Sequence, residues 1–135
     1  MRAHGFILAA SLIFAVALVA GCTSNPANNN TTTQGSVKEF NMDSFYTIEN
    51  GKPYQQYSLN EIIVNKGDIV IINVNTTKGT HDLNIDELNV HAATPTGKVT
   101  PVQFIADKSG EFVYYCAMPG HRENGQWGTL KVLEK

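Results

Sequence analysis

From Val37 onward the chain is a succession of short β-branched and aromatic runs, each stopped by Gly, Asn, Asp or Pro within a few residues. No apolar stripe recurs at a period of 3.6, so a helix here would have no face to bury and the segment is confined to strands. The expected strands are Lys38 to Ile48, Glu61 to Val64, Asp68 to Asn75, Thr80 to Ile85, Val99 to Ala106, Gly110 to Cys116 and Gly128 to Leu133. Turn signals at Asn50-Gly51, Lys66-Gly67-Asp68, Lys78-Gly79 and Lys108-Ser109-Gly110 separate several of them. Short strands at this spacing predict an all-β fold, a Greek-key sandwich or small barrel. At 135 residues with 42% hydrophobic and 16% charged content, the chain is long enough for one such core and too short for two.

Before Val37 the composition differs. Arg2 precedes an apolar run from Phe6 to Ala20, followed by small residues and Cys22, the layout of a secretory signal segment over residues 1–21. The run is shorter than the roughly 20 residues a bilayer-spanning helix needs. Val19-Ala20-Gly21-Cys22 resembles the lipobox of bacterial lipoproteins, which implies that Cys22 becomes a lipid-bearing mature N-terminus. Residues 22–36 then read as a lipidated start and a polar, low-complexity tether, and residues 37–135 as the folded domain. The expectation is an exported protein, anchored by lipid to the cell membrane and facing the periplasm or the cell exterior. A net charge of −2, with Lys and Arg scattered singly, excludes a nucleic-acid footprint.

The compartment changes how the two cysteines are read. A pair in an exported chain ordinarily suggests a disulfide, but with Cys22 lipidated, Cys116 is a lone thiol that something must protect or use. In "EFVYYC" Phe112, Tyr114 and Cys116 share one face while Val113 and Tyr115 share the other, so Cys116 is the last inward residue of its strand. The loop that follows continues the spacing Cys116-x4-His121-x4-Gln126. One thiolate and two imidazoles in a trigonal arrangement, with a weak axial fourth ligand, form the donor set of a type 1 (blue) copper site, and glutamine can serve as the axial group. The loop supplies one imidazole, so the second comes from another strand. His81, in "KGTHDLNID", follows a turn signal and opens a strand.

On these residues the domain resembles the cupredoxins, the small blue copper proteins. The resemblance covers Val37 to Lys135 and is sharpest in "YYCAMPGHRENGQWGTLKV", which is similar to the Cys-x4-His-x4-Met loop of rusticyanin-type members. His81 matches the family's N-terminal histidine ligand. Gln126 stands where most members have methionine, as in the stellacyanin group of phytocyanins. The resemblance implies one type 1 copper per chain held by His81, Cys116, His121 and Gln126. Because an amide oxygen favours Cu(II) more than a thioether does, it also implies a lower potential than in a methionine version. It further implies that the backbone N–H groups of Asp82 and Met118 hydrogen-bond the thiolate. Most members carry Asn at the position of Asp82, whose side chain ties the two ligand loops together; an acid there adds negative charge beside the metal. Met118 and the Tyr114-Tyr115 pair read as packing, Glu123 as a solvated loop acid, His91 as a solvated loop histidine and Trp127 as core filler.

The function expected on this basis is single-electron transfer between transient redox protein partners, by a monomer, through the edge of His121 and an apolar patch around Met118, Pro119 and Gly120. The chain is not expected to be an enzyme. A nitrite-reducing or oxidase-like activity needs a further copper centre, and only His81, His91 and His121 follow the signal segment. The alternative is a copper-binding carrier module without a redox-chain role, although such carriers often show Met- and His-rich clusters and here Met42 and Met118 lie far apart.

Overall fold

The computed structural model describes residues 35–135. The expected signal segment, Cys22 and nearly all of the tether lie outside the described residues. Among the described residues nine strands follow one another: β1 (Val37–Glu49), β2 (Lys52–Tyr57), β3 (Glu61–Asn65), β4 (Ile69–Thr76), β5 (His81–Ile85), β6 (Val90–Thr94), β7 (Val99–Ile105), β8 (Gly110–Tyr115) and β9 (Trp127–Leu133), with one 3₁₀ turn at Asp86–Leu88. Among the described residues no helix is long and apolar enough to cross a membrane.

The strands form two mixed sheets. One has the order β2-β1-β4-β7 and the other β3-β9-β8-β5-β6. β1 runs parallel to β4 and β3 parallel to β9, whereas the remaining pairs are antiparallel. This is an all-β sandwich of the Greek-key kind, as the run-and-turn pattern predicts.

Strict alternation builds the core. In β4 the residues Val70, Ile72, Val74 and Thr76 are buried while their neighbours are half-exposed. Met42 and Val102 flank them in the same sheet, and Ile62, Val64, Leu83, Ile85, Tyr114, Leu130 and Val132 face them from the other. Each fully buried aliphatic side chain is worth about 1.5–3 kcal/mol relative to exposure, so these residues hold the layers together without a metal.

Two strands depart from the sequence reading. β1 ends later than expected, and β2 returns through Asn50-Gly51, both at positive φ (51° and 76°), the backbone of a tight hairpin turn. The hairpin is the fold's answer to an awkward stretch, because Lys52-Pro53 is a poor strand opening that pairs only as an edge. β6 is the second addition. His91, expected in a loop, lies in this strand, exposed, with Nδ1 3.0 Å from Asn84 Oδ1 on the neighbouring β5.

Candidate metal centre

The register brings five strand ends and an inward residue of β1 to one pole of the sandwich. Ser44 of β1 lies opposite Thr76 at the end of β4. His81 opens β5 opposite Thr94 at the end of β6. Tyr115 ends β8 opposite Trp127, which opens β9. Cys116 follows β8 directly, and the segment to Gln126 spans this pole as a chain of turns.

That loop is closed by its own backbone. Cys116 N–H donates to Gln126 O at 3.1 Å, and Gln126 N–H donates to His121 O at 3.0 Å. His121 N–H donates to Met118 O at 3.0 Å, Asn124 N–H to Gly120 O at 3.1 Å and Gly125 N–H to Arg122 O at 3.1 Å. Five internal bonds fix the relative positions of residues 116, 121 and 126 before any ligand arrives.

His81, Cys116 and His121 converge, their donor atoms all within 4.8 Å of one another. His81 Nδ1 is 3.2 Å from His121 Nδ1, and Cys116 Sγ is 3.3 Å from His121 Nδ1 and 4.0 Å from His81 Nδ1. A triangle with these sides has its centre about 2.1 Å from each corner, close to the lengths of metal–imidazole and metal–thiolate bonds. Gln126 Oε1 lies 3.1 Å from His121 Nδ1, so the amide oxygen reaches the same cluster.

Protons identify what the cluster lacks. His81 Nε2 is 2.8 Å from Lys78 O, a carbonyl that can only accept, so Nε2 carries the proton and Nδ1 presents its lone pair inward. His121 Nδ1, Cys116 Sγ and Gln126 Oε1 present lone pairs to the same point. At most the thiol proton and one proton on His121 are available to four such groups, whereas one cation satisfies all of them. The residues therefore fit a soft, thiolate-binding metal ion.

Burial tunes the titration of these groups. Desolvation pushes the Cys116 thiol up to about 11; hydrogen bonding from the backbone of Asp82 and Met118 pulls the other way. Burial, and secondarily the repulsion between the two imidazoles if both were protonated, lowers His121. Burial raises Tyr57 above the ordinary phenol range, so it remains a donor to the Asp82 carbonyl.

The two ligand segments are tied together despite the acid at position 82. Asp82 Oδ1 accepts the Ala117 N–H at 2.7 Å, linking the strand that carries His81 to the loop that begins at Cys116. Gly79 makes room for the His81 ring: a Cβ there would lie 2.6 Å from Nε2, and the φ of +93° is one that other residues rarely adopt.

Other residues singled out in the sequence fall outside the cluster. Met118 is half-buried and packs on the core, and Glu123 is exposed. Tyr114 is buried, with its hydroxyl donating to Leu59 O at 2.7 Å. Trp127 is not core filler. It is 49% exposed, because inward Gly128, Leu130 and Val132 set the parity of β9 and turn residue 127 to the outer face. Tyr115 shares that face, half-buried beneath the Arg122 guanidinium, which lies 4.4 Å from the ring centroid.

One contact at the site was not anticipated. Gln126 Nε2 donates to Ser44 Oγ at 2.8 Å, and both residues are fully buried. The available signal was a polar residue continuing the inward parity of Phe40 and Met42 on β1.

A cysteine and two imidazoles gathered at the end of a two-sheet β-sandwich define, among the described residues, a domain with a candidate metal site. A model of the cupredoxin-like domain matches residues 11–127, and the chain belongs to that family. No curated protein matches the sequence. The fold is similar to that of the copper nitrite reductase from Nitrosomonas europaea, at 19% identity and a TM-score of 0.64, over 74% of this chain and 42% of that one. It is similar to the copper-containing nitrite reductase from Thermus scotoductus at 25% identity and a TM-score of 0.61, over 74% and 28%. The blue copper oxidase from Nitrosomonas europaea matches at 19% identity and a TM-score of 0.59, over 74% and 40%. The chain spans less than half the length of each of these structures. Copper is the metal of this fold, and His81, Cys116 and His121 are positioned to hold it.

Proposed function

We propose that the chain is a blue copper electron carrier, with His81, Cys116 and His121 as equatorial ligands and Gln126 as a stellacyanin-like axial ligand in a rusticyanin-like loop. The observation that carries this reading is the convergence of four donors on one buried point, held by bonds that exist without the metal. Copper bound there supplies reversible one-electron chemistry. The chain's own residues limit rearrangement. Lys78 and Gly79 fix the His81 ring, the closed loop fixes residues 116 to 126, and Asp82 fixes one segment against the other.

Water is kept from the ligands by burial of His81, Cys116 and Gln126, while the half-exposed His121 ring is the point of contact with the outside. Exposed Ala117, Pro119 and Gly120 beside it, with half-buried Met118, make a small apolar surface suited to brief encounters with redox proteins. A monomeric carrier, not an enzyme, is favoured because His91 is engaged by Asn84 on the outer face and stands apart from the cluster. Residues 37–135 would form the copper domain, 1–21 an export signal and 22–36 a tether, with Cys22 lipidated and the domain facing the periplasm or cell exterior. The Val19–Cys22 sequence supports that anchoring.

The test is the optical and paramagnetic spectrum of the Cu(II)-loaded protein, which should show an intense thiolate-to-copper charge-transfer band and reversible voltammetry. A colourless Cu(II) complex, or one that cannot be cycled, would replace this reading with a copper-holding module. Mass spectrometry of the protein from its native membrane should find Cys22 N-terminal and acylated; an unmodified Cys22 would end the lipoprotein reading.

A further inference from the structure

We propose that Ser44 is the positioning residue that holds the NH₂ end of the Gln126 amide while its oxygen faces the metal site. The inference rests on the reading of Gln126 as the axial ligand. A primary amide has two ends of nearly equal size, of which only the oxygen has a lone pair suited to a metal. Sterics alone do not choose between them. Gln126 is fully buried, so the choice falls to the protein groups that each end meets. Oε1 lies 3.1 Å from His121 Nδ1 and Nε2 lies 2.8 Å from Ser44 Oγ.

Ser44 is well built for this task. It sits inward on β1 where that strand is flanked on both sides, opposite Tyr57 of β2 and Thr76 of β4. Its carbonyl accepts the Thr77 N–H at 3.0 Å, so the backbone that carries Oγ is fixed. The hydroxyl is fully buried and cannot exchange Gln126 for water. Without it, the buried NH₂ group would lose its partner, leaving on that side only Thr76 Oγ1, buried and unpaired opposite Ser44 on β4. Turning the amide over would instead aim the donor at His121 Nδ1 and the metal position.

The Ser44 bond also acts on the oxidation state. An amide whose oxygen donates to a cation has a more polarised N–H, and the polarisation is greater for the more highly charged ion. The hydrogen bond to Ser44 therefore strengthens most with Cu(II) and weights that state. Ser44→Ala should raise the reduction potential, in the same direction as Gln126→Leu.

A double-mutant cycle tests this on the copper-loaded full chain. Loss of a buried acceptor should change the relative stability of the two oxidation states about tenfold, equivalent to about 59 mV for one electron. Ser44→Ala should show that shift in the parent, Ser44→Thr should keep the parent potential, and Ser44→Ala should shift nothing in a Gln126→Leu background. Equal shifts in both backgrounds, or none in either, would overturn the proposal. If Gln126→Leu alone leaves the potential unchanged, the axial reading fails. Ser44 is then judged separately in the metal-free protein by nuclear magnetic resonance. There the Gln126 side-chain amide protons should be protected from exchange in the parent and lose protection in Ser44→Ala; unchanged protection refutes the contact itself.

Discussion

Replacing Gly79 by alanine should damage the metal site through His81 alone, by an amount the geometry allows to be worked out. An added Cβ would stand 2.6 Å from His81 Nε2, about 0.9 Å inside an ordinary contact near 3.5 Å. Alanine at a φ of +93° also costs about 1–2 kcal/mol of backbone strain. Gly97 provides the control, since its φ of +75° imposes similar strain while nothing lies within 4 Å of its Cβ position. Gly97→Ala should therefore cost only the strain. Gly79→Ala must additionally drive the ring off the Lys78 carbonyl, now 2.8 Å away, at a further cost of about 1–2 kcal/mol for the displaced hydrogen bond. The carbonyl orients the ring that supplies Nδ1, and loss of such an orienting partner weakens metal binding about 10–100-fold. Urea unfolding of the metal-free variants, with Co(II) affinity measured on each, separates the two terms. Equal losses of stability and equal metal affinities for the two alanines would refute the claim that Gly79 exists to seat His81.

Three further outcomes are expected. Cys116→Ser should abolish the charge-transfer colour of the Cu(II) protein while circular dichroism still reports the sandwich, because the core is packed by the strands; retained intense colour would refute the ligand assignment. Burial should keep the metal-free Cys116 thiol protonated up to about 11, whereas an unperturbed thiol ionises at about 8.5; thiolate absorbance of the metal-free protein across this range, with Cys116→Ser as the blank, would show which. Gln126→Met should raise the reduction potential and, by orphaning the Ser44 hydroxyl, lower metal-free stability by about 1–2 kcal/mol; voltammetry and urea unfolding check both.

Much of this was legible in local pattern, and the two missed strands share a cause. β4 announces itself because its burial follows parity, and β8 because it is a continuous aromatic and β-branched run. The Cys116 to Gln126 spacing is visible because a single loop carries it. β2 was missed because Pro53 and two glutamines argue locally against a strand, yet β1 and the Asn50-Gly51 turn supply the pairing. β6 was missed because Ala92 and Ala93 have little intrinsic preference for a strand, and pairing with β5 overrides it. Trp127 was misassigned although parity along β9 would have placed it outside. Ser44 is different in kind, since its partner lies 82 residues away and only the folded register brings the two together.

That long-range pair also explains why position 126 cannot be read as an isolated choice of ligand. A thioether has only lone pairs to place, so a methionine version asks nothing polar of the opposite sheet. An amide brings two N–H groups as well, and burying them unpaired would cost about 1–3 kcal/mol, comparable to the difference in ligand strength that the oxygen confers. The sandwich meets that requirement with one hydroxyl at an inward position of β1, where the alternation would otherwise call for another apolar residue after Phe40 and Met42. Glutamine at 126 and serine at 44 therefore form one feature distributed over two sheets, and under the proposed axial role of Gln126 the oxidation-state preference of the site and the stability of its metal-free fold would be linked through the same hydrogen bond.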